Sequence, residues 1–116
     1  MKFTYKESDG ILMLNLSGDL IGEDNGIDII EVINDEIQKG TVLCLADISG
    51  LRYINSSGIG VLITILTKFR NKGGELCLMI PSESVQKLLI ITKLNAIFSI
   101  QTDQAEAVEL LKNSLG

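Results

Sequence analysis

The run Val42-Leu43-Cys44-Leu45-Ala46 carries no polar side chain, and Asp47 ends it. A half-buried strand is apolar at every second position; a strand apolar at every position has to be covered on both faces. This run therefore belongs in the middle of a sheet, with other elements packed above and below it. Crossover helices are what cover such strands, so the chain is expected to alternate strands and helices around a parallel sheet. Which helices lie on which face the sequence leaves open.

The flanks follow that pattern. Residues 3–7 read as a short strand with Phe3 and Tyr5 on one face, and Asp9-Gly10 is a hairpin turn signal. Residues 11–16 make a second strand, antiparallel to the first, and residues 17–22 read as an irregular loop. Asp24 or Asn25 can cap a first helix running to about residue 39, closed by Gly40. Ile27, Ile30, Val32, Ile33 and Ile37 form its apolar stripe, and Asp35 and Glu36 leave its outer face acidic.

A second helix is expected over residues 58–72, apolar almost all round and so largely buried. Lys68, Arg70 and Lys72 crowd its last turn, and Gly73-Gly74 end it. Residues 75–80 are the next strand; Ser82 can cap a third helix over residues 83–92, with Val85, Leu88, Leu89 and Ile91 as its apolar side. Residues 96–100 read as a short last strand. Thr102 or Asp103 caps a fourth helix over residues 104–113, where Asp103 and Glu106 resemble a capping box. The order ββαβαβαβα predicts one α/β domain over residues 1–116: a mostly parallel mixed sheet, antiparallel only at its N-terminal β-hairpin, with about four helices.

Composition removes several function classes. A net charge of −5 disfavours nucleic acid or an anionic membrane surface as partner. No apolar run approaches the roughly 20 residues of a membrane span, and the charged, alternating start is not a signal peptide. Cys44 and Cys77 lie in separate apolar runs with no histidine anywhere, so zinc spacing is absent and a buried, reduced pair in a cytoplasmic protein is expected. Without histidine a serine nucleophile lacks its usual base, and no Ser-x-x-Lys begins at Ser56 or Ser57. The glycines of Ser57-Gly58-Ile59-Gly60 lack the Gly-Lys-Ser/Thr ending of a phosphate loop. An enzyme and a bound cofactor are therefore not expected.

What remains is Asn55-Ser56-Ser57-Gly58, a loop opening into the second helix at the carboxyl end of the central strand, where partner sites of α/β sheets gather. Ser57 is placed to be the helix N-cap, which leaves Ser56 exposed just outside the helix, beside its positive end. A phosphate on Ser56 would add about −1.5 to −2 charge at that point. A loop serine commonly does no more than satisfy a neighbouring backbone group, and Ser57 reads that way first. Gly58 and Gly60 allow either close helix–sheet packing or room for a partner.

Asp47-Ile48-Ser49-Gly50, followed by Ile54-Asn55-Ser56-Ser57-Gly58-Ile59-Gly60-Val61-Leu62, resembles the signature of the STAS domain, and more narrowly that of bacterial anti-sigma factor antagonists. The resemblance extends to Gly18-Asp19-Leu20, Gly73-Gly74, Ser84-Val85, Leu88-Leu89, Thr92, Leu94, Phe98 and Ile100. It implies that Ser56 is phosphorylated by a partner serine kinase that is itself the anti-sigma factor. The unphosphorylated antagonist would bind that kinase and free a sigma factor, phosphorylation would release it, and a phosphatase would reset it. Asp19, Asn55, Ser56, Ser57, Gly58, Ile59 and Leu62 would form the binding surface. The chain departs from the family pattern at Asn55, where Asp is usual, and at Lys93, where Gly usually follows Thr92 and the helix is expected to end differently. Two other readings stand beside this one: an unphosphorylated STAS subunit of a lipid-transport or sensory complex, and a small serine-dependent enzyme.

Overall fold

A computed structural model describes residues 2–79 and 83–114, with the side chains of residues 22–25 left aside. Strands β1 (Lys2–Ser8) and β2 (Ile11–Leu20) form the hairpin, joined through Asp9 and Gly10, both at positive φ. Helix α1 (Gly22–Gln38), strand β3 (Leu43–Ile54), helix α2 (Ser56–Asn71), strand β4 (Glu75–Met79) and helix α3 (Glu83–Ile91) follow. A 3-10 turn (Leu94–Ala96), strand β5 (Ser99–Gln101) and helix α4 (Gln104–Asn113) complete the order.

The five strands lie in sequence order, β1-β2-β3-β4-β5. β1 and β2 pair antiparallel, and every later pair is parallel. The alternation along β3 and β4 assigns the helices to faces. Cys44, Ala46, Leu76 and Leu78 pack with Ile29 and Ile33 of α1, Leu62, Leu66 and Phe69 of α2, and Val85 and Leu89 of α3. Leu43, Leu45, Cys77 and Met79 point the other way and pack with Ala107 and Leu111 of α4. The apolar run at the chain's centre is thus covered on both sides, by three helices on one face and one on the other. Alternation also separates the two cysteines, which occupy opposite faces of neighbouring strands and are free and buried. Burial pushes the Cys77 thiol up to about 11 and the Cys44 thiol higher still.

Several expectations need correction. The loop expected over residues 17–22 is strand as far as Leu20, because the extended β3 supplies a hydrogen-bonding neighbour: Asp19 pairs with Tyr53 and Leu20 with Ile54. Two register shifts accommodate the polar, glycine-containing stretch. For the same reason β3 runs on to Ile54, well past Ile48, where the strand-like run of the sequence ends. Helix α1 begins at Gly22 with Ile21 as an N-cap lacking a side-chain hydrogen bond, so Asp24 and Asn25 fall inside its first turn. Its buried line is Ile29, Ile33 and Glu36; Ile27 is 70% exposed, and Glu36, expected outside, is 7% exposed beside Lys39.

The strand expected over residues 96–100 is instead a turn followed by a three-residue strand. Ile97 and Phe98 both donate backbone hydrogen bonds to the Leu94 carbonyl, which holds the chain in a tight bend while Phe98 enters the core. Lys93 ahead of it adopts φ 62, the left-handed conformation. The helix ends as it would with glycine there, and the lysine carries the strain. Asp103 caps α4 by accepting from the Glu106 N–H, as expected. The expected cap Ser82 lies outside the described residues.

Candidate functional site

The carboxyl ends of β2 and β3 carry the site. The chain leaves β3 at Ile54, turns once at Asn55 and enters α2 at Ser56. The expected cap was Ser57, but the cap is Asn55: its side-chain oxygen accepts from the Gly58 N–H at 2.7 Å, and its carbonyl accepts from the Ile59 N–H at 2.9 Å. Asn caps a helix as well as Asp does, so the departure at this position removes a charge and keeps the structure. The shift moves both serines inward by one role. Ser56 is the first helical residue and Ser57 the second, and both are exposed. Their N–H groups belong to the first turn, which the helix leaves without internal acceptors.

The two glycines divide the alternatives between them. A Cβ on Gly58 would stand 2.3 Å from the Leu20 carbonyl oxygen and 2.8 Å from Ile54. Gly58 therefore lets the helix start sit directly on the end of β2, where Asn55 N–H also bonds the Leu20 carbonyl. A Cβ on Gly60 would meet nothing within 4 Å, so that position opens onto solvent.

Ser56 stands at the edge of a cleft of about 440 Å³ between the start of α2 and helix α3. Ile54, Ile59, Val85 and Leu88 give it an apolar lining, and Arg52, Tyr53, Asn55, Ser84 and Thr92 complete it. On the other side of the same turn, Ser57, Gly60, Val61 and Thr64 line a shallower groove of about 420 Å³ against Gly26, Ile27, Ile30 and Glu31 of α1. The first turn of α2 is thus a ridge between two largely apolar depressions. Of the residues expected at the binding surface, Asn55, Ser56, Ser57 and Ile59 gather on or beside this ridge. Leu62 does not reach it; it is 1% exposed and belongs to the core. Gly58 is buried and shapes the ridge from beneath.

Asp19 lies at the end of β2, where its carboxylate stands 3.6 Å from the Arg52 guanidinium. Arg52 and Tyr53 carry no sequence signal of a site, lying between the strand-like run and the loop that opens α2. Only the extension of β3 assigns them to the cleft wall, with Tyr53 56% exposed. Among the described residues no group of three or more His, Cys, Asp or Glu could hold a metal ion. No helix among them is long and apolar enough to cross a membrane.

The family model for the STAS domain matches residues 2–107. This chain belongs to the STAS domain family. A solved structure from Thermotoga maritima, described as a “putative anti-sigma factor antagonist”, superposes on this STAS domain with a TM-score of 0.85. The two are 30% identical, over 95% of this chain and 94% of that one. BtrV of Bordetella bronchiseptica, which bears the same description, is 26% identical over 115 residues, covering 99% of this chain and 98% of its own. The anti-sigma factor antagonist SpoIIAA in its unphosphorylated form shares the fold, with a TM-score of 0.74 at 18% identity over 96% of this chain and 98% of that one. A five-stranded mixed sheet, an antiparallel hairpin and four helices are therefore the STAS arrangement in this chain.

Proposed function

We propose that this STAS domain is an anti-sigma factor antagonist whose binding to an anti-sigma factor serine kinase is switched by phosphorylation of Ser56 and reset by a phosphatase. The single observation that carries the reading is the placement of the Ser56 hydroxyl: exposed, on the first turn of α2, at the edge of an apolar cleft. A partner seated over Ile59 and the cleft would cover Ser56 as well. With a free hydroxyl that is inexpensive. With a phosphate, the partner has to desolvate a dianion, and an unpaired buried charge costs several kcal/mol. The positive end of α2 offsets only about 0.3–1 kcal/mol of that at a surface site. The balance favours release. Relatives described as anti-sigma factor antagonists support the same reading, as does the solution of SpoIIAA in a phosphorylated form.

Asn55, Ser57 and Ile59 stand on or beside the ridge with Ser56 as contact residues, Asp19 lies behind Arg52, and Gly58 and Leu62 act through the position of the helix. The test is to incubate the protein with ATP and the serine kinase encoded nearest to it, then read intact mass and co-elution. One added phosphate, abolished in Ser56→Ala, together with loss of co-elution, is the expected result. Ser56→Asp should keep the native circular dichroism spectrum and bind the kinase at least about tenfold more weakly in calorimetry, a loss of about 1.4 kcal/mol. If Ser56→Asp binds as tightly as the parent, the charge switch is wrong and the domain is a constitutive interaction subunit.

A further inference from the structure

Arg52 and Ser56 line the same cleft, and among the described residues lining it Arg52 is the one charged side chain. Among the described residues the guanidinium is loosely held. Its contact with Asp19 is 3.6 Å, too long for a hydrogen bond, and the two side chains are 78% and 43% exposed. An exposed pair of that geometry contributes little and is easily exchanged for a better partner. A phosphoserine is such a partner: it carries nearly twice the charge of a carboxylate and three acceptor oxygens, and its geometry matches the planar guanidinium fork.

The geometry points to Arg52 as the partner, within this chain, of a phosphate on Ser56. The modified residue draws the guanidinium away from Asp19 and across the cleft, where the arginine stem covers the apolar wall that a partner would otherwise occupy. The release step then has two parts: an ion pair, still carrying net negative charge, whose desolvation a partner would have to meet, and a side chain that closes the seat. Asn55 fits this device. Its neutral side chain caps the helix through Gly58 N–H at 2.7 Å without placing a second carboxylate beside the phosphate to compete for the arginine. The inference rests on Ser56 being the modified residue, but its test does not depend on any kinase.

The experiment uses the full chain with phosphoserine installed at position 56 during synthesis. The second ionisation of the phosphate is followed by phosphorus NMR between pH 4 and 8 at low salt. A nearby guanidinium favours the dianion, so the apparent pKa in the parent is expected to lie at least about half a unit below that in Arg52→Gln. Asp19→Asn removes the competing carboxylate and should widen that gap. Asn55→Asp introduces one and should narrow it. Arg52→Lys keeps a charge without the fork and should recover part of the gap, and added salt should shrink it. The helix end is unchanged in the Arg52 and Asp19 variants, so it cancels in their comparison. Agreement of Arg52→Gln with the parent within about 0.1 unit overturns the proposal. A kinase that ignores Ser56 would instead refute the switch described above and leave this titration result standing.

Discussion

The two glycines of the first α2 turns offer a controlled measurement of the contact that positions the site. Replacing either by alanine in a helix gains about 1 kcal/mol of helix propensity. At Gly60 nothing lies within 4 Å of the added Cβ, so that gain should appear almost whole. At Gly58 the Cβ would stand 2.3 Å from the Leu20 carbonyl oxygen, where 3.4 Å or more is ordinary contact. The neighbour is backbone, in a strand paired there with β3, and cannot rotate away as a side chain would. The helix start has to withdraw by about 1 Å, which stretches the bond from Asn55 N–H to the Leu20 carbonyl, now 3.3 Å. Overpacking of this kind costs about 1–3 kcal/mol. Because the propensity term is common to both variants, their difference isolates the steric term. Urea unfolding monitored by circular dichroism should place Gly58→Ala about 1–3 kcal/mol below Gly60→Ala at equal m-value. Stabilities within about 0.5 kcal/mol of each other would refute the claim that Gly58 seats the helix on β2. Gly58→Ala should also weaken partner binding without touching an exposed residue.

Asn55→Ala should lose about 1 kcal/mol of stability in the same assay, whereas Asn55→Asp should stay within a few tenths of the parent, since either side chain caps. An equal loss in both would show that the cap is not what Asn55 supplies. Lys93→Gly should raise stability by about 0.5–1 kcal/mol, because glycine relieves the left-handed backbone, while Lys93→Ala, equally strained, should not. Both thiols should label slowly in the native protein at pH 8 and rapidly in denaturant. Their raised ionisation makes a further prediction: the unfolded chain loses these protons first, so stability is complete below pH 9, falls as pH rises through that value, and the Cys77 contribution is lost by about pH 11. A Cys77→Ala variant should fall less steeply over that window, and an unchanged slope would contradict the burial argument.

The sequence by itself determined the elements whose signals are local. The Asp9-Gly10 hairpin turn, the apolar run that opens β3, the Gly40 and Gly73 helix ends and the Asp103 cap all rest on chemistry within a few residues, and each is where the pattern placed it. The opening of α2 at Asn55-Ser56-Ser57-Gly58 was legible for the same reason, in a short motif of small residues. Tertiary structure decided what depends on a distant neighbour. Residues 17–20 and 50–54 continue their strands by pairing with each other; alone, their glycines and polar groups carry no strand pattern. The choice of Asn55 over Ser57 as cap turned on where α2 meets the end of β2, and Gly58 allows that meeting through a carbonyl nearly forty positions away in the chain, at Leu20. The cleft beside Ser56 likewise combines Arg52 from β3 with Leu88 from α3, elements brought together only by packing. Local patterns record what a residue prefers next to its neighbours along the chain. Which surface remains open, and which charge faces it, follows from contacts that exist only once the sheet has formed.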